Sequence, residues 1–175
     1  MMSSIQRCDL PPGALLGKYL QGESYVDCYV TEVTKQVSHA EYVEAFYTTA
    51  VFKIERLLLA WFVSRPSTDE QARQLATGML GAFAAWSVEG RSADQLLLSD
   101  FGGRTRSWLM NRPSPDLTST ELFFGSAVIP VVSKRTGKAA LGVTFRALLG
   151  FHKLYSRALL RAAVNRLAQT RSDRQ

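Results

Sequence analysis

At 175 residues, with 46% hydrophobic and 21% charged residues, the chain has the size and composition of one globular domain. The start Met1–Asp9 carries no apolar core of a secretory signal, and the uncharged run Leu75–Val88 is too short to span a bilayer, which takes about 20 residues. Two cysteines outside any Cys-x-x-Cys pair lead us to expect a reduced, cytoplasmic protein with buried or inert thiols.

The formal charge of +6 is unevenly placed. Residues 139–175 hold seven of the 21 basic residues and one of the 15 acidic ones, so the whole excess falls there. Any anionic partner would be expected to meet this end of the chain.

In chain order, residues 1–23, with Pro11-Pro12-Gly13, read as an irregular lead-in, and Tyr25–Val33 as a first strand. Alternation puts Val26, Cys28 and Val30 on one face and Tyr25, Asp27, Tyr29 and Thr31 on the other. Ser38-His39-Ala40-Glu41 has capping-box spacing. The apolar stripe from Val43 through Phe46, Tyr47, Ala50 and Val51 to Trp61 predicts one helix running to about Val63. His39, in its first turn, is expected to be exposed. Pro66 ends the helix, and Ser67-Thr68-Asp69-Glu70 repeats the capping spacing for a shorter one ending near Gly78.

After Gly81 the period changes to two. Phe83–Glu89, Asp94–Phe101 and Arg104–Arg112 read as strands separated by Gly90-Arg91-Ser92-Ala93 and Gly102-Gly103. Their mainly apolar and more polar faces predict a sheet covered on one side only. A loop from Pro113 leads to a long strand, Leu117–Val132; a polar turn, a strand over Ala139–Ala147 and a helix from Phe151 follow. The expected organisation is α+β: a single domain over residues 24–168, with a curved antiparallel sheet packed on helices and a basic tail at 169–175.

Several stretches together carry a resemblance. Tyr25-Val26-Asp27 opens the first strand, Trp86-Ser-Val-Glu-Gly-Arg91 precedes a leucine-rich strand, and Leu122-Phe-Phe-Gly-Ser-Ala-Val precedes Gly137, its strand and Phe151-His152. Over roughly residues 20–168 they resemble an uncharacterised bacterial family of domains of unknown function, similar to the START-like, polyketide-cyclase-like (SRPBCC, helix-grip) superfamily. That resemblance implies a sheet gripping a long C-terminal helix around an apolar cavity for a hydrophobic small molecule. The closing helix here is short by that standard, and no catalytic set of the superfamily maps onto the chain.

The candidate ligand-binding residues follow from both readings. Trp86, Trp108, Phe124, Phe145 and Tyr155 either line a cavity or fill a core. His152 either offers a near-neutral acid–base group or fixes the strand-to-helix corner. Asp100 and Arg106, placed by alternation on the side of Leu96, Leu98, Trp108 and Met110, form either an anchor for a polar ligand end or a solvated pair. These three polar residues would also serve a cyclase- or hydrolase-like enzyme, the alternative function.

Lys153, Arg157 and Arg161 form a basic stripe opposite Phe151, Leu154, Tyr155, Ala158, Leu159 and Ala162. It is either a solvated face or a surface for an anionic partner or peripheral membrane contact. No nucleic-acid motif accompanies it, and no nucleic acid is expected. No cofactor or metal is expected either: a Gly-x-Gly-x-x-Gly run, a P-loop and a zinc pattern are all missing from the sequence. The oligomeric state is left open by the sequence.

Overall fold

The structure, a computed structural model, describes residues 4–52, 67–132, 139–140 and 156–169. It is α+β, as the strand and helix grammar predicts. Seven antiparallel strands run in the order β1-β2-β7-β6-β5-β4-β3: β1 (Gln6–Arg7), β2 (Tyr25–Val33), β3 (Ala82–Phe83), β4 (Trp86–Arg91), β5 (Gln95–Asp100), β6 (Thr105–Pro113) and β7 (Thr120–Val128). β8 (Val131–Val132) and β9 (Ala139–Ala140) form a separate two-stranded sheet. The helices are α1 (His39–Tyr47), α2 (Asp69–Ala76) and α3 (156–169). No described helix is long and apolar enough to cross a membrane.

Both helix starts are closed reciprocally. The Ser38 hydroxyl accepts from the Glu41 amide at 3.3 Å, while the Glu41 carboxylate accepts from the Ser38 amide at 2.9 Å. The second box is shifted by one residue from the predicted Ser67–Glu70 pair. Thr68 is the cap, accepting from the Gln71 amide at 3.2 Å, with Gln71 reaching back to the Thr68 amide at 3.0 Å.

The predicted single helix to Val63 is interrupted. Thr48 Oγ1 donates to the Glu44 carbonyl at 2.7 Å and Thr49 Oγ1 to the Phe46 carbonyl at 3.0 Å. Thr49 also accepts from the Phe52 amide at 3.2 Å, as a new N-cap would, and residues 50–52 are again helical. The apolar period runs through this step unbroken, which is why the stripe alone conceals it.

Strand boundaries moved for equally local reasons. Ala84 at φ 52 and Ala85 turn the chain back, so that Phe83 pairs with Trp86 and the predicted Phe83–Glu89 strand is a hairpin. β4 continues through Gly90 and Arg91 with a bulge after Val88. Leu117, at φ 58, lies in a turn held by the Asp116 carboxylate, so β7 starts at Thr120. Pro130, with no N–H to offer, follows its last residue by two, and the chain passes to the second sheet.

The expectation of a one-sided sheet is overturned. On one face Tyr29, Leu96, Leu98, Leu109, Leu122 and Phe124 pack against α1, α2 and α3. Phe46 is at its centre, with ring centroids 5.0 Å from Phe124 and 5.1 Å from Tyr47. On the opposite face Cys28, Leu97, Trp108, Met110, Phe123 and Ala127 are buried beneath Leu16. Residues 1–23 are therefore not merely a lead-in: they supply β1 and a 3-10 helix, Leu15–Leu20, that covers the second face.

Gly125 marks how closely that cover approaches. A Cβ there would meet Leu16 Cδ2 at 2.8 Å, Trp108 Cε3 at 2.9 Å and the Asp27 carbonyl at 3.1 Å. We expect Gly125→Ala to cost about 1–3 kcal/mol by overpacking, read as a lower urea midpoint at unchanged m-value. An unchanged midpoint would mean that the 3-10 helix yields freely.

α3 buries Ser156, Leu159, Leu160, Ala163, Val164 and Leu167. The predicted stripe is thus rotated: Ala158 is exposed and Ala162 half-buried. Leu160, Val164 and Leu167 present more apolar area than those alanines, and burial follows the larger side chains. Lys35 Nζ donates to the Leu167 carbonyl at 2.7 Å, fixing the C-terminal end of α3 beside the end of β2.

Candidate functional site

Among the described residues a cavity lies at the sheet edge, where β1 leaves β2. β1 pairs through Gln6 with Val30 and Arg7 with Tyr29, and one further ladder bond runs from the Cys8 amide to the Cys28 carbonyl at 3.0 Å. Beyond it the chain passes through Asp9 and Leu10 to Pro11 and Pro12, which have no N–H to prolong a ladder. A turn, closed by the Ala14 amide on the Pro11 carbonyl, leads the chain into the 3-10 helix. The parting leaves a pocket of about 330 Å³, lined by Arg7, Cys8, Asp9, Leu10, Leu20, Val26, Asp27 and Cys28.

The lining combines an apolar wall with charge. Leu10, Leu20, Val26 and the two cysteines supply the wall and Asp9 a charge, while Arg7 and Asp27, paired by register with Tyr29 and Ser126, border the pocket with their side chains on the opposite face of the ladder. Asp27 is 3% exposed, and its carboxylate accepts from Ser126 Oγ at 2.6 Å and from the Tyr25 hydroxyl at 3.4 Å. Burial, reinforced by Asp27, pushes Tyr25 up to about 12, so its hydroxyl keeps its proton at neutral pH and remains a donor.

The two thiols face each other, Sγ to Sγ at 3.3 Å. The sequence predicts scattered thiols, buried or inert; Cys28 is buried and Cys8 half-buried, and the two are neighbours. β1 is only two residues long, and a two-residue strand leaves too little alternation to read its pairing with β2.

No protein-family model, curated protein or solved structure matches this chain.

The predicted ligand set does not converge among the described residues. Trp86 and Phe124 belong to the helix-side core, whereas Trp108 is buried on the opposite face, its indole N–H donating to Gln95 Oε1 at 2.9 Å. Trp86 keeps its indole nitrogen buried without a partner among the described residues. Phe145, His152 and Tyr155 lie outside the described residues, as does Lys153.

Asp100 and Arg106 do not share a side as predicted. The β5–β6 register pairs Leu97 with Trp108 and Ser99 with Arg106. Even positions of β5 thus share a face with odd positions of β6, which sends Asp100 and Arg106 to opposite faces. Asp100 is a turn residue: its carboxylate accepts from the Arg104 and Thr105 amides at 2.7 and 2.8 Å.

Arg106 joins a latch on the second face. Its Nε donates to the Tyr19 hydroxyl at 2.7 Å, Tyr19 donates to Glu89 at 2.5 Å, and Glu89 pairs with both Arg106 and Lys18. Burial pushes the Glu89 carboxyl up, but hydrogen bonds from Lys18 and Tyr19 and the Arg106 charge outweigh it and hold the group below its ordinary value. Alternation after Val88, which faces the helices, puts Glu89 on this second face. Its role is to tie the 3-10 helix to the sheet.

Two further residues correct or refine the sequence reading. His39 is half-buried rather than exposed, with Nδ1 3.1 Å from Asn111 Oδ1. Arg157 and Arg161 are exposed on the outer side of α3, and Arg157 reaches the Ile5 carbonyl at 3.3 Å.

Proposed function

We propose that this protein binds a small molecule with a hydrophobic body and a polar end, in the pocket between the N-terminal segment and β2. The observation that carries the reading is the pocket itself. Its volume of about 330 Å³ falls at the lower end of ligand sites, roughly 300–1,000 Å³. Its leucine, valine and cysteine wall suits an apolar body, and Asp9, just beyond β1, gives a polar end something to meet. The START-like resemblance implies a ligand between the sheet and the closing helix instead. A cyclase- or hydrolase-like reaction through Asp100, Arg106 and His152 is not proposed, because Asp100 and Arg106 leave opposite faces of the sheet.

Native mass spectrometry of the full chain purified from its own host tests the reading. A co-purified molecule is expected in the wild type and should be lost in Val26→Trp, which fills the pocket. In parallel, a fluorescent naphthalene sulfonate should bind the wild type at least about tenfold more tightly than the folded variant, a difference of about 1.4 kcal/mol. Bare wild-type protein with equal dye binding by both forms would overturn the reading.

A further inference from the structure

Cys8 and Cys28 occupy opposed positions of one antiparallel ladder. They continue the register of Gln6 with Val30 and Arg7 with Tyr29, and the backbone bond between them is made. Their sulfurs are 3.3 Å apart without being bonded. Cys8 is half-buried while Cys28 is buried, so a reagent entering from solvent meets Cys8 first. Among the described residues no group of three or more His, Cys, Asp or Glu could hold a metal ion, so the pair lacks the company a metal site needs.

We propose that Cys8 and Cys28 form a redox modification site, a dithiol that a small-molecule disulfide converts into a reversible Cys8–Cys28 bridge. The Cys8 thiolate attacks one sulfur of the reagent; the reagent's S–S bond breaks, and one thiol leaves. The Cys28 thiolate then attacks the Cys8 sulfur of the mixed disulfide and expels the second thiol. Two cysteines are oxidised by two electrons, one disulfide is reduced to two thiols, and the two cysteine protons end on those thiols.

Strand neighbours hold their Cβ atoms about 4.5–5.5 Å apart, wider than the roughly 3.8 Å of a relaxed bridge. A bridge here is therefore readily reduced again, which suits a switch better than a permanent staple. It would close a loop containing the 3-10 helix and join two walls of the pocket, pinning the cover of the second face. Both cysteines line the pocket, but the exchange chemistry does not depend on a ligand being bound there.

Burial pushes both thiols above their ordinary value. For Cys8, Asp9 and Glu121 act in the same direction, while Arg112 and the hydrogen bond to Cys28 oppose them. For Cys28, Cys8 and Asp27 add to burial, and a hydrogen bond with the Tyr29 backbone opposes. The exchange is accordingly slow at neutral pH and accelerates as pH rises.

The test treats the native full chain with glutathione disulfide at mildly alkaline pH, followed by intact mass spectrometry and digestion without reductant. The expected product is lighter by two hydrogen atoms, joins the Cys8 and Cys28 peptides, and reverts with dithiothreitol. Amide exchange over residues 9–20 should slow by about tenfold or more in the oxidised form. Cys28→Ser should accumulate a glutathione adduct on Cys8, while Cys8→Ser stays unmodified. A wild type that stops at the mixed disulfide, or bridges only after denaturation, overturns the proposal whether or not either variant folds.

Discussion

Trp108→Ala is expected to destabilise the protein by about 3–5 kcal/mol, the range for emptying a large aromatic site in a packed interior. Trp108 is fully buried, between Leu16 and Phe123, on the face that the strand pattern left uncovered. Its removal would leave a void under the 3-10 helix and take one donor from Gln95. That amide oxygen would still accept from the Leu15 amide at 2.8 Å, so the lost hydrogen bond adds only about 1 kcal/mol. Typical domains are stable by about 5–15 kcal/mol, so the loss should be visible as a large drop in urea midpoint. Trp108→Phe should fall between the two. A loss below about 1 kcal/mol for the alanine variant would mean that residues 8–20 do not form the second layer of this fold.

The second layer is also where sequence reading reached its limit. The first capping box, the presence of a second one residue away from its predicted place, the meander of β4 through β7 and the closing helix were legible because each is written in neighbouring residues: a hydroxyl three positions from a carboxylate, or apolar residues at a helical period or at period two. Alternation along a strand likewise divided Val26, Cys28 and Val30 correctly from Asp27, Tyr29 and Thr31. What alternation does not carry is parity between strands. The pairing of Leu97 with Trp108 decides that Arg106 and Asp100 part company, and it arises from the turn over residues 101–104. The Gly-Gly pair signalled that turn without stating which residues oppose each other. The break at Thr48–Thr49 was hidden for the converse reason, because hydroxyl-to-backbone bonds changed the path while the apolar spacing continued.

The candidate site was less legible than the fold. The pocket lies between β2 and a segment whose Pro-Pro-Gly composition reads as irregular, and its two thiols come from positions 20 residues apart. Neither half is a motif. The aromatic residues that did stand out, Trp86, Trp108 and Phe124, proved to be buried or partly buried in two cores on opposite faces of the sheet. Large aromatics are conspicuous because they dominate burial, and burial alone does not separate a filled core from a cavity wall. Pockets form where packing stops, as it does here where β1 departs from β2.

Acidification should expose a second stability term, at His39. Asn111 Nδ2 donates to the Val37 carbonyl at 2.7 Å, which turns Asn111 Oδ1 toward the imidazole. Nδ1 of His39 must then carry the proton, and Nε2 is left as a buried acceptor without a partner among the described residues. Burial lowers the group to about 4 from an ordinary 6.5; Arg91 acts in the same sense, while Asn111 and Asp94 oppose. Its position as the first residue of α1 adds an unfavourable helix dipole to any positive charge. Because the unfolded chain takes up the proton first, stability is full above about pH 6.5, falls as pH drops toward 4, and levels below that. The loss amounts to about 3 kcal/mol at 1.36 kcal/mol per unit. His39→Asn keeps a donor near the Nδ1 position and removes the titration, so its urea midpoint should stay nearly level through this window while that of the wild type falls. Parallel pH profiles for the two proteins would place the acid sensitivity on the carboxylates instead.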